Sequence, residues 1–170
     1  MIRIREESPA DAAGIQAVLE NAFEKSTEAD LVDRLRVNGG AALSLVAEHD
    51  GRIVGHALFT PVMLGTRPRP IEGMGLGPLA VLPEFQKRGI GGKLIREGAR
   101  RLHEYGCPYI VVLGSPDYYP RFGFEPASRF HVRCEWDVPE GAFMLLPLDR
   151  YRMQACSGLV TYREEFAALA

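Results

Sequence analysis

Between Val81 and Lys93 the chain reads Val-Leu-Pro-Glu-Phe-Gln-Lys-Arg-Gly-Ile-Gly-Gly-Lys, an apolar strand end that passes through a glycine-rich turn into a helix. Gly89, Gly91 and Gly92 fall where that helix begins, so several backbone N–H groups can converge on one anion. Arg88 and Lys93 add positive charge beside them. Exposed charges at a helix start contribute only about 0.3–1 kcal/mol, so the backbone amides carry more of such a site than either side chain. The chemistry implied is the grip of a phosphorylated cofactor.

Two common phosphate loops do not fit. A Walker loop needs Ser or Thr after its Gly-Lys, but Leu94 follows Gly92-Lys93, and Lys87 stands where its earlier glycine belongs. A dinucleotide fingerprint needs a third glycine where Leu94 stands, and it follows the first strand rather than a mid-chain one. What does fit is Gln86-x-x-Gly89-x-Gly91, which resembles the Q/R-x-x-G-x-G/A signature of GNAT-type N-acetyltransferases. The resemblance implies that Gln86, Lys87, Arg88, Gly89, Ile90, Gly91, Gly92 and Lys93 hold the pyrophosphate of acetyl-CoA.

A second part of that pattern lies downstream. Tyr109 to Leu113 is a β-branched run typical of a buried strand, and Ser115-Pro116 reads as an N-cap with proline at the first helical position. A short helix carrying Tyr118 and Tyr119 should end at Gly123. Family members commonly show aromatic-Tyr-x-x-x-Gly-Phe here, and Tyr119 matches the residue that in many of them protonates the departing CoA thiolate. An ordinary Tyr has a pKa near 10 and so still holds a proton to give at neutral pH. From spacing alone the two tyrosines are equally readable as core aromatics. With the upstream turn in place, Tyr119 is the expected general acid, Tyr118 is packing, and Ser115 joins the expected coenzyme contacts.

The elements that must position these residues are legible in outline. Ile2 to Arg5 alternates as a first strand, and Ser8-Pro9-Ala10-Asp11 starts a helix with Ile15, Val18, Leu19, Ala22 and Phe23 on one face. A second helix spans Glu28 to Val37 and ends at Asn38-Gly39-Gly40. Strands Leu43 to Glu48 and Arg52 to Leu64 form a hairpin through His49-Asp50-Gly51. Arg67-Pro68-Arg69-Pro70 is a loop, and Gly73 to Leu82 is the next strand. The main helix covers Gly89 to Glu104, with Ile90, Leu94, Ile95, Ala99 and Leu102 inward, and stops at Gly106 and Pro108. A strand from Phe124 toward Val132 and another from Ala142 to Leu148 follow.

This order predicts an α/β fold with a mixed, largely antiparallel sheet flanked by helices. It matches the GNAT order, with residues 1–170 as one acetyltransferase domain. Residues 149–170 form a C-terminal extension in which Leu159 to Arg163 is an edge strand and Glu164 to Leu169 a final turn. Gly75-Leu76-Gly77-Pro78 cannot make a regular ladder, because glycine weakens pairing and proline donates no hydrogen bond. It reads as a bulge or splay, or as a loop between two short strands. The resemblance implies that the pantetheine arm enters such a splay, against the backbone of Leu79, Ala80 and Val81.

Composition narrows the function classes. The chain has 170 residues, 46% hydrophobic and 25% charged, and a formal net charge of -2, which gives no broad basic field for nucleic acid. No apolar run approaches the roughly 20 residues that span a membrane, and the N-terminus lacks a signal-peptide core, so a cytoplasmic protein is expected. Cys107, Cys134 and Cys156 read as free thiols, and the four histidines show no ligand spacing, so no metal is expected. Glu48, Glu72 and Glu84 are general-base candidates by type alone, and none is singled out. The function expected is transfer of acetyl from acetyl-CoA to a primary amine of a small molecule or peptide. A non-catalytic acyl-CoA-binding sensor and a transferase for longer acyl groups are the alternatives. Homodimerisation through the late strands or tail stays open, as does the acceptor's identity.

Overall fold

Two short breaks, His49-Asp50-Gly51 and Asn38-Gly39-Gly40, govern how the N-terminal part folds. In the computed structural model, which describes residues 1–65 and 69–169, Asp50 (φ 49°) and Gly51 (φ 79°) both take left-handed backbone. That pair of angles makes a two-residue hairpin turn whose twist suits right-handed strands. It joins β2 (Leu43–His49) to β3 (Arg52–Leu64) antiparallel. β1 (Ile2–Glu6) pairs antiparallel with β2, Ile2 opposite His49 and Glu6 opposite Leu45.

A 3-10 turn, Pro9–Asp11, leads into α1 (Ala12–Ala22), and α2 (Thr27–Val37) follows. Ile15, Val18 and Leu19 of α1 and Ala29, Leu31, Val32 and Leu35 of α2 are buried. Each fully buried Leu, Ile or Val contributes about 1.5–3 kcal/mol, which is what holds two such short helices. The expected cap at Ser8 has a second partner. The Asp11 carboxylate accepts the Ser8 N–H at 2.7 Å and two bonds from Arg5 at 2.7 and 3.0 Å, while Arg5 also donates to Glu48 at 2.8 Å. Arg5 holds the Asp11 carboxyl well below the usual carboxylate range.

The remaining elements are β4 (Ile71–Val81), α3 (Ile90–Glu104), β5 (Tyr109–Leu113), β6 (Glu125–Pro126), β7 (Val132–Cys134), β8 (Phe143–Pro147), α4 (Arg150–Gln154) and β9 (Gly158–Thr161). The chain divides into two units, and β3, β4 and α3 each pass from one to the other.

The first unit comprises Met1–Phe59 and Gly77–Gly98. Its strands run in the order β1, β2, first half of β3, second half of β4. α3 lies hard against β3 here. A Cβ on Gly55 would stand 3.2 Å from both Ile90 and Leu94, and one on Gly98 would overlap the Phe59 ring. Glycine at these two places is what lets helix and sheet approach so closely.

The second unit comprises Thr60–Leu76 and Ala99–Ala168. Its order is second half of β3, first half of β4, β5, β8, β6. β5 pairs antiparallel with all of β8, and parallel with β4 over Met74–Leu76 opposite Ile110–Val112. That parallel ladder ends at Leu76, where the Gly-Pro step begins, so the expected irregularity in β4 is present. The Gly77–Pro78 peptide is cis. The fold is thus α/β, with a mixed, mostly antiparallel sheet flanked by helices.

Three expectations need correction. Phe124 to Val132 is not one strand: β6 has only two residues, a 3-10 turn occupies Ala127–Phe130, and His131 takes a left-handed φ of 58° before β7. The tail strand is not an edge. β9 lies between two partners, antiparallel to β3 at Met63 and Leu64 and parallel to β7. The tyrosine helix is shorter than expected, a 3-10 turn over Tyr119–Phe122 closed by Gly123 at φ 96°. Residues 164–169 do form the final turn, as a 3-10 helix. Arg67 and Pro68 of the expected loop lie outside the described residues. Among the described residues no helix is long and apolar enough to cross a membrane.

Candidate functional site

The expected coenzyme residues from Leu79 to Lys93 all lie in the first unit, along the end of β4 and the start of α3. On β4, Leu79 and Val81 are half-buried and Ala80 is buried. A 3-10 turn, Pro83–Phe85, carries the chain out of the strand. The Gln86 side chain then donates back to the Val81 carbonyl at 3.0 Å, so it ties the turn to the strand end. Lys87 (φ 64°) and Gly89 (φ 81°) both take left-handed backbone. For a lysine that conformation costs of order 1 kcal/mol, and it turns the following amides toward a common point. Nothing lies within 4 Å of where a Gly89 Cβ would sit, so conformation rather than space calls for glycine there.

The first helical bond of α3 runs from the Lys93 N–H to the Gly89 carbonyl at 3.1 Å. The amides of Ile90, Gly91 and Gly92 therefore open the helix with no acceptor inside it. All three residues are buried. Donors sheltered from water at the positive end of a 15-residue helix are suited to an anion. Its side-chain charge is peripheral. Lys87, Arg88 and Lys93 are exposed, and the Arg88 guanidinium lies 5.1 Å from the Phe85 ring centroid. Arg52 approaches the same ring at 5.8 Å and pairs with Glu84 at 3.0 Å.

Ser115 and Tyr119 lie together in the second unit, in the turn after β5. The Asp117 N–H donates to Ser115 Oγ at 3.2 Å, and the Tyr118 and Tyr119 N–H groups donate to the Ser115 carbonyl at 3.2 and 3.4 Å. The Tyr119 ring packs edge-on against Tyr118 and Phe124, with centroids 5.0 and 5.7 Å away. A Cβ on Gly114 would press on the same ring, so that glycine makes room for it. Burial, with a smaller effect of Tyr118, pushes the Tyr119 hydroxyl up to about 12. It is a firmly protonated phenol held by three neighbouring residues.

A turn of sheltered amides thus follows a mid-chain strand, and this tyrosine lies downstream of it. Residues 3–127 match the Acetyltransferase (GNAT) domain. The chain belongs to the GNAT acetyltransferase family. YhbS of Escherichia coli strain K12, a protein named as an N-acetyltransferase, is 40% identical over 164 residues, 96% of this chain and 97% of its own length. The crystal structure of E. coli YhbS in complex with CoA superposes with a TM-score of 0.92 at 39% identity, covering 98% of this chain and 92% of that one. A GNAT family acetyltransferase from Brucella melitensis in complex with acetyl-CoA gives 0.81 at 38% identity, covering 98% of both.

Within this GNAT fold the sequence-level base candidates separate. Glu48 is engaged by Arg5, and Glu84, fully exposed, is held below its ordinary range by its own backbone and by Arg52. Glu72 is exposed on β4. His56, one of the four histidines without ligand spacing, is fully buried. Its Nε2 lies 2.8 Å from Ser44 Oγ, and burial together with the positive charge of Arg36 pushes it down to about 3. It stays neutral and suits a structural role. The contacts of Phe85 with Arg52 and Arg88 escaped sequence reasoning, because Arg52 is 33 positions upstream and no local pattern joins them. Among the described residues no group of three or more His, Cys, Asp or Glu could hold a metal ion. The three cysteines are free thiols.

Proposed function

We propose that this chain is one GNAT domain that transfers acetyl from acetyl-CoA to a primary amine by direct attack. The observation that carries the reading is the start of α3, where the sheltered amides of Ile90, Gly91 and Gly92 fit a pyrophosphate. The CoA and acetyl-CoA complexes of the two similar proteins support it. Gln86 to Lys93 grip the pyrophosphate, and Ser115 adds a contact. The backbone of Leu79, Ala80 and Val81 pairs with the pantetheine arm, and an amide of this strand steadies the oxygen of the thioester as negative charge develops there.

In the transfer, the amine nitrogen forms a bond to the thioester carbon and the carbon–sulfur bond breaks. Tyr119 gives its proton to the departing sulfur. The amine sheds its own surplus proton to solvent and the Tyr119 phenolate takes one back from it, so charge and atoms balance without a redox partner. With its hydroxyl raised by partial burial to about 12, Tyr119 holds that proton throughout the pH range in which the amine is neutral enough to attack.

The test is titration calorimetry of acetyl-CoA into the purified protein, followed by thiol release on a panel of primary amines. Micromolar binding with amine-dependent release of CoA is expected. Binding without release on any amine would point to a sensor module, and no binding would overturn the reading altogether.

A further inference from the structure

A general acid works only while its hydroxyl faces the departing atom, so whatever fixes the Tyr119 ring bears on the reaction proposed above. No side-chain hydrogen bond among the described residues holds that hydroxyl. Within the protein it is ring packing that sets its direction. Three residues surround the ring. Gly114 offers backbone, and Phe124 is a core residue, 2% exposed. Tyr118 is the third, and it is half-buried.

Tyr118 is itself held by the far end of the same turn. Its ring lies 5.0 Å from that of Tyr119 at 85°, and 5.1 Å from that of Phe122 at 69°. The Arg121 guanidinium lies over the Tyr118 ring, 5.0 Å from its centroid, and donates to the Asp117 carbonyl at 3.4 Å. Positions three and four residues on share a face of helical backbone, which is why Arg121 and Phe122 both reach Tyr118. Pro120 stiffens the backbone between them. The bond from Arg121 to Asp117 closes a clasp around the Tyr118 ring, and that ring meets Tyr119 edge to face. Burial does not explain the arrangement, since Tyr118 stays half-buried and Arg121 is exposed.

We propose that Tyr118 is a positioning residue: clasped by Arg121 and Phe122, its ring holds the Tyr119 phenol in the orientation that hands its proton to the leaving sulfur. The proposal rests on the reading of Tyr119 as the general acid. The role needs a ring at position 118 and not a hydroxyl, so Phe should fill it and Leu should not.

The test is CoA release from saturating acetyl-CoA by the full chain, run as a double-mutant cycle with Tyr119→Phe. The acceptors are 1,4-diaminobutane, lysinamide and a tripeptide with a free N-terminus. Tyr118→Leu should lower turnover about tenfold and leave the KM for acetyl-CoA within about twofold, and Tyr118→Phe should restore the rate. Arg121→Ala, at an exposed position, should lose about threefold. In the Tyr119→Phe background both substitutions should cost nothing further, because no acid is left to aim. The alkaline fall of turnover should also begin about one pH unit earlier in Tyr118→Leu, whose Tyr119 has lost part of its shelter. Equal losses in the two backgrounds overturn the assignment, because they mark a structural role. Unchanged turnover in Tyr118→Leu, or a Tyr118→Phe as slow as Tyr118→Leu, also overturns it. If Tyr118→Leu does not fold, Arg121→Ala in the two backgrounds decides by the same rule. Failure of the underlying reading shows separately, as a wild type that releases no CoA or a Tyr119→Phe as fast as the wild type, and it takes the positioning role with it.

Discussion

The turn after β4 and the turn after β5 both leave a buried strand, both contain proline and glycine, and both run into helical backbone. They differ in where their N–H groups go. After β4 the chain passes through left-handed Lys87 and Gly89, and α3 then opens with amides that its own first bond, Lys93 to Gly89, leaves over. After β5 the amides of Asp117, Tyr118 and Tyr119 all turn back on Ser115, and that of Gly123 is taken by Pro120. The first turn has backbone to offer, and the second has only a side chain. A strand-to-helix turn with unsatisfied donors binds charge, whereas one that satisfies itself is a stiff mount for a reactive group.

The sharpest way to break this contrast is to fill the first turn's donors from within. Gly89→Asp places a carboxylate at the helix start, where it competes with phosphate for the same amides; because Gly89 is left-handed, Gly89→Ala, which carries the same strain without the charge, is the control. Acetyl-CoA affinity by calorimetry should fall by about a hundredfold while circular dichroism keeps its helical signal. An affinity within a few-fold of the wild type would mean that the amides are not the phosphate site. Next in size is Tyr119→Phe, which removes the acid and keeps the ring packing. Turnover at saturating substrates should drop by roughly 30- to 100-fold with acetyl-CoA affinity unchanged, and equal turnover would take Tyr119 out of the chemistry.

Smaller effects sharpen the comparison. If backbone outweighs side-chain charge at the first turn, Arg88→Ala should weaken acetyl-CoA by only about two- to fivefold, since the guanidinium is exposed and rests on Phe85. The smallest effect concerns pH. The Tyr119 hydroxyl, raised to about 12, is an acid that must be protonated to act, so its working form persists upward from neutral pH through 10. The turnover profile should stay level to about pH 10.5, where an ordinary tyrosine would already have lost half its acid form near 10. A falling limb at pH 9–10 that is absent from Tyr119→Phe would contradict the burial.

What the sequence revealed, and what it hid, follows from the range of the forces involved. Asp50-Gly51, Gly89 and Gly106 were readable because left-handed backbone restricts residue choice on the spot. α3 was readable because Ile90, Leu94, Ile95 and Leu102 repeat at helical spacing within one element. The segment from Phe124 to Val132 was misread because its apolar residues alternate like a strand, while Pro126 and left-handed His131 interrupt it and its β7 end takes its partner from residues 158–160. β9 looked like an edge because nothing in Leu159 to Thr161 announces two neighbours. In the candidate site, the turn proposed to hold the coenzyme was legible from its glycines as a helix start with free amides. The Arg5 bonds to Asp11 and Glu48 and the His56–Ser44 contact were not. Each depends on which groups meet, or fail to meet, through space.

The close seat of α3 on β3 fixes more than packing. With the Phe59 ring notched under Gly98 and the Ile90 and Leu94 side chains over Gly55, the helix meets the sheet closely at two points along its length. It works as a barrel that aims its muzzle of amides. A single methyl group at position 98 would meet the Phe59 ring, and any tilt that relieved the clash would be felt about 12 Å away at Ile90, whose amide belongs to the proposed phosphate site.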